Sequence, residues 1–95
     1  MTKAEEHYQK GNEYLDKNDF SMAESEYSEA ILEDFSSTKD VEMWAHLNRG
    51  IARFNQGDQA GAYDDWSNVS RYDENPERIA TAKKLSQNLN PSFRL

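Results

Sequence analysis

The chain has no cysteine. That removes any disulfide framework and any thiolate nucleophile or metal ligand, and it leaves the redox compartment open. No run approaches the roughly 18 consecutive apolar residues that cross a bilayer, so no membrane partner is expected. Residues 1–10 are charged and hold no apolar stretch, so they do not read as a secretory leader. Basic residues are scarce: 11 Lys and Arg stand against 18 Asp and Glu, for a net charge of −7 and a pI near 4.7. Such a surface repels phosphate backbones, which excludes nucleic acid as the expected partner. There is no Gly-rich phosphate loop and no Ser in a nucleophile-elbow context, so catalysis has no motif to rest on. Strand-like alternation is absent too. What remains is 95 residues that are 36% apolar. That is one small domain, lean in core but sufficient for helix pairs that each bury one face, and its expected location is the cytoplasm.

Against these absences stands an internal repeat. The stretch HLNRGIARFNQGDQAGAYDDW, residues 46–66, echoes HYQKGNEYLDKNDFSMAESEY, residues 7–27. An offset of 39 carries His7 to His46, Gly11 to Gly50, Asp19 to Asp58, Ala23 to Ala62, Tyr27 to Trp66 and Asp34 to Asp73. Repetition at such a period marks stacked supersecondary units. Each copy reads as two helices broken by a polar pair, Asn18-Asp19 or Gly57-Asp58. Gly suits the left-handed end of one helix, and Asp accepts hydrogen bonds from the free amides that start the next. Gly11 and Gly50 lie inside helices, where glycine costs about 1 kcal/mol against alanine. That cost is explained if another helix crosses closely there, with Ala23 and Ala62 opposite and Tyr27 and Trp66 filling the space between hairpins.

The pattern resembles the tetratricopeptide repeat, Trp-x2-Leu-Gly-x2-Tyr…Ala-x3-Phe…Pro. The first copy reads His7-x2-Lys10-Gly11-x2-Tyr14…Ala23-x3-Tyr27, and the second reads His46-x2-Arg49-Gly50-x2-Arg53…Ala62-x3-Trp66…Pro76. The resemblance covers about three quarters of the chain, with an insertion of about five residues against a family period of about 34. It departs at both initial His residues, at Lys10 and Arg49 before the glycines, and at Arg53. The resemblance implies an all-α fold of five helices, with antiparallel hairpins stacked as a short right-handed solenoid. The expected divisions are repeat one over 3–35, an insertion at 36–40, repeat two over 41–74, a capping helix over 76–89 and a tail from 90 to 95.

Local signals place the helices. Thr2 with Glu5 forms a capping-box pattern, so the first helix runs over 3–17. Asp19 starts the second, over 20–34. A break at 35–39 follows, and Ser37, Thr38 or Asp40 caps the third helix, which ends near Gln56 and projects an extra turn from the stack. The fourth runs over 59–71. Asn75-Pro76 starts the fifth, whose Ile79, Ala82, Leu85 and Leu89 cover the open face of the second repeat. The tail from Pro91 is too short for further structure.

Titratable residues offer little chemistry. Asp64 and Asp65 point about 100° apart on a helix, so they share no proton and read as solvated surface carboxylates. His7 and His46 take equivalent places and read as packing residues where the family has an aromatic; with no third ligand, no metal is expected. Arg53 is expected to pair with Asp64 or Asp65. No cofactor is called for.

The candidate site is the concave face supplied by the first helix of each hairpin. It comprises Tyr8, Asn12, Trp44, Leu47, Asn48, Ile51 and Arg78, with Glu5, Asp16 and Asn55 beside them. The resemblance implies that a peptide or protein segment lies in this groove. Asn12 and Asn48 also match the asparagines with which one subclass clamps the terminal carboxylate of heat-shock chaperone tails. Tyr8 stands where that subclass has a lysine, and on the fifth helix only Arg78 matches a clamp cation. The leading expectation is therefore a non-catalytic protein–protein interaction module. The alternatives are a self-associating dimeric or filamentous scaffold, and a co-chaperone with a partial clamp. In the scaffold reading, the tail Ser92-Phe93-Arg94-Leu95 serves as a ligand for the groove of the same or a neighbouring chain.

Overall fold

Five α-helices and a terminal 3-10 turn account for the architecture, and no strand occurs among the described residues. The structure, a computed structural model, describes residues 1–33 and 38–93. The helices are α1 (Lys3–Asp16), α2 (Phe20–Leu32), α3 (Lys39–Asn55), α4 (Gln59–Tyr72) and α5 (Pro76–Ser86). Each packs on its successor, and α3 also touches α1 and α5, so the odd-numbered helices form one continuous face.

Helix starts follow the side chains that can accept from free amides. Thr2 and Glu5 exchange hydrogen bonds in a complete capping box at 3.1 and 3.0 Å. Asp19 accepts from the Met22 amide and Asp58, one repeat later, from the Gly61 amide. Thr38, rather than Ser37 or Asp40, caps α3 through the Val41 amide. Asn75 caps α5, with Pro76 in the first turn where its missing N–H has no consequence. The two intra-hairpin turns are also alike. Asn18 (φ 60°) and Gly57 (φ 83°) both adopt the left-handed conformation. The following aspartate amide then reaches back to Tyr14 O or Arg53 O, at 2.9 Å in each case.

The core has two parts joined through α3. Ala45 and Ala52 on α3 close against Ala23, Tyr27 and Ala30 of α2. Met43 and Leu47 on α3 pack instead with Ala62, Trp66 and Val69 of α4 and with Ala82 and Leu89. Tyr27 and Trp66 are buried, as the sequence predicts. Their neighbours differ from the expectation. A Cβ at Gly11 would run into the Tyr27 ring, and one at Gly50 into the Trp66 indole. Each glycine thus makes room for the aromatic of its own hairpin, not for an alanine. Trp66 completes the fit by donating Nε1–H to Leu47 O at 3.1 Å.

Three boundaries move. α2 leaves its helical hydrogen bonding after Leu32, and the expected break over 35–39 falls largely outside the described residues. The early turn of α3 does not project freely: Asp40 accepts from Arg78 Nη2 at 2.8 Å and holds the start of α5. α5 stops at Ser86, and a turn returns Leu89 to the core at 1% exposure. Past it, the tail is ordered as a 3-10 turn, Pro91–Phe93. Asn90 N–H donates to Gln59 Oε1, and the Phe93 ring lies 6.0 Å from that of Tyr63.

Candidate functional site

The repeat places Tyr8 and Asn12 on α1 and Asn48 on α3 so that they meet across the helix pair. Asn48 Nδ2 donates to Asn12 Oδ1 at 3.1 Å and to the Tyr8 hydroxyl at 3.3 Å. Asn12 Oδ1 also accepts from the Tyr27 hydroxyl at 2.6 Å. Burial, joined by the negative charge a tyrosinate would place beside Tyr8, pushes the Tyr27 phenol well up, so it remains a donor. These bonds use both protons of Asn48 Nδ2 and both lone pairs of Asn12 Oδ1. Asn12 Nδ2 and Asn48 Oδ1 take no part in them. No described side-chain nitrogen or oxygen is both buried and unbonded, so these two atoms reach solvent. Rotating both amides by half a turn swaps the roles and leaves the same outward pair, one donor and one acceptor.

Beside them Trp44 is 39% exposed, and Ile51 is half-buried against the second core. The face is shallow, and the described residues enclose no pocket. Two of the expected groove residues are elsewhere. Leu47 is 2% exposed, because its turn of α3 is the one that Trp66 and Met43 pack against. Arg78 is 3% exposed and bound by two carboxylates. Its Nε meets Asp73 Oδ2 at 2.6 Å, its Nη2 meets Asp73 Oδ1 and Asp40 Oδ1, and its guanidinium stacks 5.4 Å from the Trp44 ring. Its hydrogen bonds to Asp73, which outweigh burial, hold the guanidinium above its usual range. The same bonds, against the opposing effect of burial and helped by the Asn75 amide, hold Asp73 down to about 2. Arg78 is a structural clamp for α5 in this arrangement, not a free cation.

The described part of the tail turns onto α4. Phe93, its aromatic anchor, rests on α4, while Arg94 and Leu95 lie outside the described residues.

A second polar cluster was not foreseen. Asp65, expected at the surface, is 1% exposed. It accepts from His46 Nδ1 at 3.0 Å, from Arg49 Nε and Nη2 at 3.0 and 2.7 Å, and from Arg53 Nη1 at 3.1 Å. Burial would raise its pKa, but the hydrogen bonds from His46 and Arg49 and the charges of Arg49 and Arg53 more than offset it and lower the carboxyl. Arg49 continues to the Ser28 hydroxyl, and Arg53 to Glu24 at 2.9 Å, so the cluster ties α4 through α3 to α2. The expected pairing of Arg53 is met by Asp65. The structure repeats the histidine–carboxylate pair at the 39-residue offset: His7 Nδ1 meets Glu26 at 3.2 Å, and adding 39 to both gives His46 and Asp65. His46 is a buried, hydrogen-bonded side chain in the ion network rather than an aromatic substitute.

Comparison with known proteins adds no relative: no family model, no curated protein and no solved structure matches the chain.

Proposed function

We propose that this protein is a non-catalytic interaction module of tetratricopeptide-like, right-handed build, acting in the cytoplasm. It holds an extended peptide or protein segment against the face formed by α1, α3 and α5. The observation that carries this reading is the outward pair of Asn12 and Asn48. One donor beside one acceptor matches the C=O and N–H of a peptide backbone. Trp44 and Ile51 offer apolar contact alongside. A terminal carboxylate needs donors on both of its oxygens. The same pair supplies donors from only one side chain, and Arg78 is held by Asp73 and Asp40. The chaperone-tail alternative is therefore the weaker of the two.

The test is a titration with degenerate acetylated and amidated nonapeptide pools, followed by amide NMR. The Asn12 side-chain amide and the Trp44 indole signals should move. The Trp66 indole, bonded internally to Leu47 O, should stay. Asn48→Ala should weaken binding about tenfold by removing the acceptor and releasing Asn12. If neither groove signal responds to any pool, the module does not bind peptides on this face.

A further inference from the structure

The charges on the groove face are sorted, and the sorting identifies the kind of segment it takes. At about 100° per residue, positions four or three apart share one face of a helix. On α1 the stripe that carries Tyr8 and Asn12 also carries Glu5 and Asp16. Lys3, Lys10 and Lys17 fall on roughly the opposite side. On α3 the stripe through Asp40, Trp44, Asn48, Ile51 and Asn55 holds no cation, while Lys39, Arg49 and Arg53 point away, the last two into the Asp65 cluster. On α5 the residue that meets Trp44 is Arg78, already bound by two carboxylates. Lys83 and Lys84 lie off that stripe. Among the described residues the groove stripes thus present Glu5, Asp16 and Asp40 with no unpaired Lys or Arg side chain. Asp40 is itself 76% exposed at the side chain, although it touches Arg78.

We infer that the groove takes a lysine- or arginine-bearing segment, bound through the interior of its chain rather than by its C-terminal carboxylate. This rests on the peptide-binding reading of the same face. Complementary charge speeds encounter and rejects segments of the wrong sign, since like charges brought together across an interface repel. An acidic segment would meet three carboxylates with no free Lys or Arg side chain to neutralise it. A basic one would meet them from both sides of the Asn12–Asn48 pair: Asp40 lies two helical turns before Asn48 on α3, and Asp16 one turn after Asn12 on α1. The exposed part of the Trp44 ring adds an apolar and cation-binding surface in the middle.

The experiment uses four nonapeptide pools with the same apolar content. Three are acetylated and amidated and carry Lys and Arg, no charge, or Asp and Glu; the fourth is acidic with a free carboxylate. Binding is read from the Asn12 side-chain amide and the Trp44 indole, so that loose attraction of polycations to carboxylates outside the groove, such as the exposed Glu29 of α2, is not counted. The basic pool should bind at least tenfold more tightly than the neutral one and weaken as salt rises. Both acidic pools should bind worse than the neutral one. The double variant Glu5→Gln, Asp16→Asn keeps a capping-box residue at position 5. It should lose about tenfold of the basic preference with an unchanged circular dichroism spectrum. Groove signals that respond equally to all pools, or more to an acidic one, overturn the charge assignment and leave the peptide groove standing. Basic peptides that move only α2 signals also overturn it. No response from any pool overturns both.

Discussion

The same histidine–carboxylate pair occurs twice in this molecule and leads two different lives. His7 and Glu26 join α1 to α2 at 3.2 Å with side chains 26% and 17% exposed. His46 and Asp65 join α3 to α4 at 3.0 Å with side chains 10% and 1% exposed. The spacing along the chain is identical, and the neighbours are not. Lys10 and Tyr14 beside the first pair become Arg49 and Arg53 beside the second. α3 has a helix on each side, and α2 supplies Ser28 and Glu24 to complete the guanidinium hydrogen bonds. A bridge that is half wet at the start of the stack becomes the centre of an ion network one hairpin later. Position in the stack sets what a repeated residue does.

That contrast is broken most directly by removing the two carboxylates in turn. Asp65→Ala leaves His46, Arg49 and Arg53 without their common acceptor and should cost about 3–5 kcal/mol. Glu26→Ala should cost less than about 1 kcal/mol. Equal losses by urea denaturation would show that the two sites are energetically alike despite their burial.

Acid sharpens the comparison. Asp65 and Asp73, both in the second half, have carboxyl groups held below their ordinary range. A group depressed on folding adds stability that is present above its unfolded pKa and is lost as pH falls toward its folded value. For Asp73 that window runs from about 3.8 down to about 2, with about 2 kcal/mol at stake. Asp73→Asn should therefore flatten the acid limb of the stability curve between those values. An unchanged slope would mean that Asp73 contributes nothing to it.

Smaller effects than that of Asp73 are expected at the turns. Gly57 and Asn18 share a left-handed backbone, so Gly57→Ala should cost about 1 kcal/mol, while Asn18→Gly should stay within about 0.5 kcal/mol of the parent. Thermal melts of the two variants decide this, and a Gly57→Ala protein as stable as the parent removes the conformational argument.

Much of the fold was legible because its signals are local. Thr2, Asp19, Asp58 and Asn75 announce helix starts through short hydrogen bonds to their own next turn. The 39-residue echo supplies the hairpins. Asp65 was illegible because hydrophobic periodicity assigns a charged residue to solvent, and only a set of cations from a neighbouring helix can hold it inside. Arg78 misled for the converse reason: its partner Asp73 sits between helices, where no stripe reveals it. Leu47 and Trp44 are three residues apart on one helix, yet the packing of Trp66 buries the first and leaves the second partly open.

α3 gives one flank, Ala45 and Ala52, to the first core and the other, Met43 and Leu47, to the second. Neither hairpin owns a complete interior without it. In an array where each unit speaks only to its neighbours, such a shared element acts as the coupling constant. The expected outcome of a melt is therefore a single cooperative transition rather than fraying from one end, with a lesion in either hairpin felt across the whole molecule.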